Sequence, residues 1–326
     1  MATLDAAMRA LAAWDIRLYG DLEEMLVGRV FKVRQKSGRS LILKDVGQQS
    51  LERLVFECDV LGHLYAQGIP VAVPIKTREG RPLADFEGSR FTLTPCLLAE
   101  DAEEPGEWVE RVPSYGETFA CLHLALATYP NTVLAATTWS SDPFGETFDR
   151  YVPNLLRVLP AARAAKIAAI ASAIEGGMRR ALDGLPMQLI HRDLHDGNIL
   201  CSGDRVVGIV DCDHFSLGTP MIDIAYFLHH TVKWIKEEDG TMVGNEGGKE
   251  WWFSWVPNLL RAYDEVRPLS KRARAALPYL MVWVIISFVD LFFKKNDFEE
   301  MRLYLNLLDF VYVYRSEIGR CAISFA

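Results

Sequence analysis

None of the six cysteines (Cys58, Cys96, Cys121, Cys201, Cys212 and Cys321) forms a CxxC pair, and several sit inside apolar stretches. This excludes a paired-cysteine metal or redox motif and marks reduced, mostly buried thiols of a cytoplasmic protein. Basic residues are in deficit, with 35 Lys+Arg against 43 Asp+Glu and a net charge of −8. The sequence shows no run of clustered cations, so a nucleic-acid-binding surface is not expected. Long apolar runs are also scarce. The most membrane-like stretch, AALPYLMVWVIISFV at 275–289, is short, contains Pro278 and runs into Asp290. It reads as a buried helix rather than a membrane span. The first residues, MATLDAAMRALAAW, are interrupted by Asp5 and Arg9 and read as an amphipathic helix, not a secretion signal. Internal repeats and low-complexity tails are lacking.

What is present is an ordinary globular composition, half hydrophobic and about a quarter charged, over 326 residues. That length suits two lobes with a substantial core. Val30, Phe31 and Val33, then KSGR, then Leu41, Leu43 and Lys44 predict a β-hairpin. Leu51, Leu54, Val55, Cys58, Leu61 and Tyr65 form one helical stripe that Gly68 and Pro70 end. VAVPI at 71–75 and SRFTLTPCLL at 89–98 add two strand candidates. After the acidic stretch AEDAEEPGEW the composition turns helical, so a boundary is placed near residue 100, giving lobes 1–98 and 99–326.

One region of the second lobe departs from the helical pattern. MQLI, NILC and VVGIVD read as short strands around the loop HRDLHDGN at 191–198, and IVDCD follows at 209–213. Asp193 and Asn198 lie five residues apart in a tight loop, and Asp211 ends the last of these strands. A hairpin at SGDR would return Asp211 beside Asn198. An amide oxygen and a carboxylate are the hard ligands that Mg²⁺ prefers, and Asp193 would remain free to accept a proton.

The segments HRDLHDGN, IVDCD and GTPMIDIAYFL, in that order and spacing, resemble the aminoglycoside phosphotransferase and choline kinase family. The resemblance runs along most of the chain. It implies an α+β, protein-kinase-like fold, with a small antiparallel-sheet lobe carrying one main helix and a larger, mostly helical lobe. It further implies that Asp193 is the catalytic base, that Asn198 and Asp211 hold Mg²⁺ on ATP, and that Lys44, paired with Glu57, grips the phosphates. Thr94, Pro95, Cys96 and Leu97 fall where the family's hinge meets the purine. The phosphate-covering loop departs from the pattern: EEMLVGR offers only Gly28, which leaves room for GTP as an alternative donor.

The expected function is therefore transfer of the γ-phosphate of Mg·ATP to a hydroxyl of a small molecule. Between Asp211 and Asp223 there is no room for a peptide-positioning activation loop. Residues 101–326 carry 22 Lys+Arg against 30 Asp+Glu, and the later helices offer Asp264, Glu265, Asp290, Asp297, Glu299 and Glu300 with Trp251, Trp252 and Trp255. These favour a cationic acceptor, such as an aminoglycoside or amino alcohol. Two alternatives are a nucleotide-binding protein without turnover and a metallohydrolase built on the HxDxHD cluster. Asp223 is expected to cap the helix that follows it, and His191 and His195 to brace the loop. Asp213 is either a second metal contact or a polar turn residue, and His214, His229 and His230 have no partner spacing that singles them out.

Overall fold

The computed structural model describes residues 4–16, 19–20, 22–26, 28–47, 49–99, 105–130, 142–233 and 249–322. The chain divides into two compact units. The first comprises Met1–Glu100 together with Leu200–Ser202 and Val207–Asp213; the rest forms the second.

Unit one is built on five antiparallel strands: β1 (Glu23–Leu26), β2 (Val30–Arg34), β3 (Ser40–Asp45), β4 (Ala84–Phe86) and β5 (Ser89–Pro95). Their spatial order is β1-β2-β3-β5-β4. Period-two alternation in β3 buries Leu41, Leu43 and Asp45 and sends Ile42 and Lys44 to the other face. Phe31, Val33, Phe91 and Leu93 join the buried face, over which α1 (Leu4–Ala10) and Trp14 pack. The KSGR turn closes as expected, with Gly38 at φ +84° and its N–H donating to the Gln35 carbonyl at 3.0 Å.

Helix α2 (Leu51–Ala66) starts at Ser50, whose hydroxyl accepts the Arg53 N–H at 3.2 Å, and Gly68 follows its end at φ +81°. The expected strand at 71–75 is not formed. Val71 makes a single parallel bridge to Ile209, because Pro70 and Pro74 remove the donors a ladder would need.

Unit two is mainly helical: α3 (Pro105–Ala127), α4 (Val152–Val158) after a π-helical turn at Glu146–Tyr151, α5 (Ala161–Leu182), α6 (Met221–Val232), α7 (Lys249–Val266), α8 (Lys271–Lys294) and α9 (Phe298–Cys321). Helix α3 begins inside the acidic stretch AEDAEEPGEW, after which the helical composition was expected to start. Gly116 lets α3 and α7 touch, since a Cβ there would lie 2.9 Å from the Tyr263 amide nitrogen. Helix α8 is long and apolar enough to cross a membrane, yet most of it is buried inside this unit against α5, α6 and α9. The short strand Gln188–Ile190 pairs antiparallel with Ser216–Gly218, fixing both ends of the motif region in this unit.

Candidate active site

The loop after Gln188–Ile190 is tied down from one point. Asp223, in the first turn of α6, accepts the His191 N–H at 2.9 Å and the Arg192 N–H at 2.7 Å, and meets His123 Nε2 at 3.0 Å. His123 Nδ1 in turn lies 2.9 Å from the Tyr263 hydroxyl, so α3, α6 and α7 all converge on this carboxylate. Asp223 and His123 are both fully buried. Burial pushes the Asp223 carboxyl up, but the hydrogen bond and charge of His123 outweigh it and hold it below the usual carboxylate range. This corrects the expectation of a helix cap: Pro220 is the N-cap residue, and Asp223 serves the loop instead of its own helix.

Arg192 sits in the left-handed region at φ +76°, a costly conformation for a non-glycine residue. Two contacts hold it there: its N–H on Asp223, and its guanidinium 4.5 Å from the ring centroid of Trp283. Trp283 is oriented by its indole N–H, which donates to Glu146 of the π-helical turn at 3.0 Å.

With the loop fixed, Asp193 is positioned by its neighbours. The Asn198 amide nitrogen donates to the Asp193 carbonyl at 2.8 Å and to its carboxylate at 3.1 Å. That leaves the amide oxygen as the group Asn198 can offer an ion. Tyr226 of α6 also hydrogen-bonds the Asp193 carboxylate through its hydroxyl; burial and that negative charge push the phenol well above its ordinary value. Sequence reasoning missed Tyr226, although its place one turn after Asp223 puts it on a face near the same loop. His191 Nδ1 accepts the Asp193 N–H at 3.3 Å and His195 Nδ1 the Gly197 N–H at 3.1 Å, in the bracing roles expected of them.

His230, which no spacing singled out, stacks on His195 with ring centroids 4.8 Å apart and places Nδ1 2.5 Å from Asp196. His195, Asp196 and His230 could together hold a metal ion, although His195 Nδ1 already accepts the Gly197 N–H.

In unit one, Lys44 from β3 forms ion pairs with Asp211, and with Asp213 at 3.1 Å. Burial alone would lower the ammonium's pKa, but Asp213 and Asp211 together raise it. The expected Lys44–Glu57 pair is not the one formed. Glu57 takes Arg53, one helical turn earlier, at 2.6 Å, while Lys44 finds two carboxylates at the end of the strand Arg205–Ile209. Glu57 is pushed up to about 7, burial outweighing the pull of Arg53. Asp211 adopts φ +58°, and Cys212 is buried between the two acids, which with burial drive its thiol upward. Two carboxylates converging on one cationic nitrogen are a donor set that fits a hard divalent ion. Asn198 belongs to the other unit.

The remaining sequence candidates also lie in unit one. Gly28, at φ +64° in the β1–β2 turn, donates its N–H to Glu24 at 2.6 Å, so a carboxylate takes the amide that a phosphate would use. Thr94 pairs with Ile42 in the sheet, and the Cys96 N–H donates to the Ser40 carbonyl at 3.0 Å. Leu97 packs where Gly208 lacks a side chain, 2.7 Å from the Cβ that any other residue would place there.

The acidic and aromatic residues proposed for the acceptor are largely structural. Asp264 pairs with Arg274 at 2.8 Å, buried Asp290 with Lys294 at 2.5 Å, and Asp297 accepts the Glu300 N–H at the start of α9. Trp252 and Trp255 are fully buried in the core.

A homoserine kinase from Methylobacillus glycogenes is 27% identical over 236 residues, 72% of this chain, and the match spans 66% of that relative's length. An amicoumacin kinase solved with AMP-PNP and Ca²⁺ has the same fold, with a TM-score of 0.68 at 15% identity over 93% of this chain and 92% of that one. A microcompartment-associated aminopropanol kinase reaches a TM-score of 0.68 at 17% identity, covering 97% of this chain and 99% of the other. These neighbours establish a protein-kinase-like α+β fold. The model of the phosphotransferase enzyme family matches residues 26–270, and the chain belongs to that family.

Proposed function

We propose that the protein transfers the γ-phosphoryl group of Mg·ATP to the hydroxyl of a short amino-bearing alcohol, as a cytoplasmic small-molecule kinase. The observation that carries this reading is the Asp193 carboxylate, held by Asn198 on a loop whose backbone is bonded to buried Asp223. A carboxylate fixed in this way is placed to orient an acceptor hydroxyl and take its proton as the new O–P bond forms and ADP leaves. Asp211 and Asp213 would hold Mg²⁺ with the amide oxygen of Asn198, and Lys44, released from the acids, would face the phosphates. When bound, the ion supplies charge neutralisation at the phosphate oxygens. Backbone groups around Thr94, Cys96 and Leu97 would meet the purine, and Gly28 would cover the phosphates once its N–H leaves Glu24.

The acceptor class rests on the relatives. Homoserine kinase and aminopropanol kinase are both named for short chains bearing an amine and a hydroxyl. The test is ADP release from Mg·ATP and Mg·GTP with homoserine, aminopropanol, choline, an aminoglycoside, a neutral sugar and a carboxylate-bearing alcohol without an amine. We expect the highest specificity constant for an amino alcohol, and a loss of turnover of about 10²–10⁴-fold in Asp193→Asn with nucleotide binding retained. A neutral or purely anionic alcohol as best acceptor would refute the amine requirement. Nucleotide binding without ADP release on any acceptor would refute the kinase itself.

A further inference from the structure

Within unit two, the last turns of α5, the N-terminal half of α8 and the last turns of α9 enclose an open cavity of about 670 Å³. Five of its twelve lining residues are cationic, namely Arg180, Lys271, Arg272, Arg315 and Arg320, and none is acidic. These residues are scattered in sequence and only the fold gathers them. Their sign is opposite to that of residues 101–326, where Asp+Glu outnumber Lys+Arg by 30 to 22.

The partners of four of these five cations leave the charge uncompensated. Arg272 donates to the Asp183 carbonyl at 2.5 Å, and Arg315 to the Tyr312 carbonyl at 2.5 Å while lying 4.3 Å from the Tyr312 ring centroid. Such contacts fix the guanidinium groups without neutralising them. Arg320 reaches Glu317 at 3.5 Å in an exposed pair. Arg180 and Lys271 have no acidic partner among the described residues. The N-terminus of α8, where the Ser270 hydroxyl accepts the Ala273 N–H at 3.1 Å, adds the positive end of a 24-residue helix. One wall is aromatic: Tyr279 lies against α5 only because residue 177 is glycine, since a Cβ there would overlap the tyrosine hydroxyl.

Like charges gathered in one concavity repel each other unless something anionic joins them. The cavity is within the usual size of a small-molecule site, and guanidinium forks suit phosphate oxygens. A long polyanion would meet the surrounding negative surplus, whereas a compact one would meet only the lining. We propose that this cavity binds a small molecule carrying two or more phosphate groups.

The probes are orthophosphate, pyrophosphate, tripolyphosphate and citrate, titrated calorimetrically into the full chain. Affinity should rise from orthophosphate to tripolyphosphate and exceed that for citrate. Arg180→Glu with Lys271→Glu should weaken tripolyphosphate binding at least about tenfold, and Arg180→Gln with Lys271→Gln should weaken it less. Both side chains are exposed and both changes relieve repulsion between like charges, so the unfolding temperature without ligand should be no lower than the parent's. Lys44→Ala should leave this binding intact, which separates it from binding at the nucleotide motifs, and amide exchange should slow at 271–272 and 177–181 on addition of tripolyphosphate. No binding, binding lost in Lys44→Ala, equal binding in the charge-reversed variant, or preference for citrate, DNA or anionic vesicles would each overturn the proposal.

Discussion

Asp193 is framed by two groups that differ in how they could be read from the sequence. Asn198 lies five positions on in the same loop and was legible from its spacing; Tyr226 comes from a helix, and its hydrogen bond depends on how α6 approaches the loop. Tyr226→Phe keeps the ring and deletes the hydroxyl. A hydrogen bond to a charged group is worth about 1.5–3 kcal/mol, so kcat should fall by roughly tenfold or more. The KM for nucleotide should stay at its parent value, and a rise in KM with unchanged kcat would show that the hydroxyl does not position the base. Glu57 makes a different prediction. Its folded-state carboxyl is pushed up to about 7 from an ordinary 4.5, so between those pH values the folded protein keeps a proton that the unfolded chain releases. Stability from this group is therefore lost as pH rises through that window. Glu57→Gln cannot ionise, and the difference between its unfolding temperature and the parent's should grow in the variant's favour from pH 5 to pH 8. Parallel curves would show that burial of Glu57 carries no such cost.

Among the elements, α6 is the one on which the site depends. It supplies Asp223 to the loop backbone, Tyr226 to the base and His230 to Asp196. Asp223→Asn replaces one acceptor oxygen with an N–H group facing donors, in a fully buried place. We expect a loss of about 3 kcal/mol in folding free energy by denaturant titration, together with a loss of activity, as for other broken buried charge partners. A variant within about 0.5 kcal/mol of the parent would show that the loop holds without this anchor. Helix α2 was legible because an apolar stripe from Leu51 to Tyr65 met the stop signals Gly68 and Pro70. The strand at 84–86 was not legible, being three residues long and with little alternation to read. The partner of Lys44 was equally hidden, because carboxylates 167 and 169 residues away compete with one on the next helix. Likewise, nothing local tells that Asp223 turns toward two backbone amides rather than its own helix end.

At the scale of the whole molecule, the −8 charge is carried entirely by residues 101–326, while the first hundred residues balance at 13 Lys+Arg and 13 Asp+Glu. Such a surplus attracts cations over a distance and is screened by salt. For an acceptor with net positive charge, such as aminopropanol, the specificity constant should fall as ionic strength rises from about 0.01 to 0.15 M. For homoserine, which carries no net charge at neutral pH, it should stay level. Equal salt dependence for the two would show that the field plays no part in acceptor capture. Helix α8 has a consequence of another kind. Its most apolar face is buried in part against α9, and the residues of α9 are the last ones described in the chain. A ribosome delivers α8 before the partner that covers it, and the 27 residues from 295 to 321 must still emerge. During that interval the nascent chain exposes the one helix among the described residues that could pass for a membrane segment, so chaperones and aggregation compete for it before the kinase fold can close.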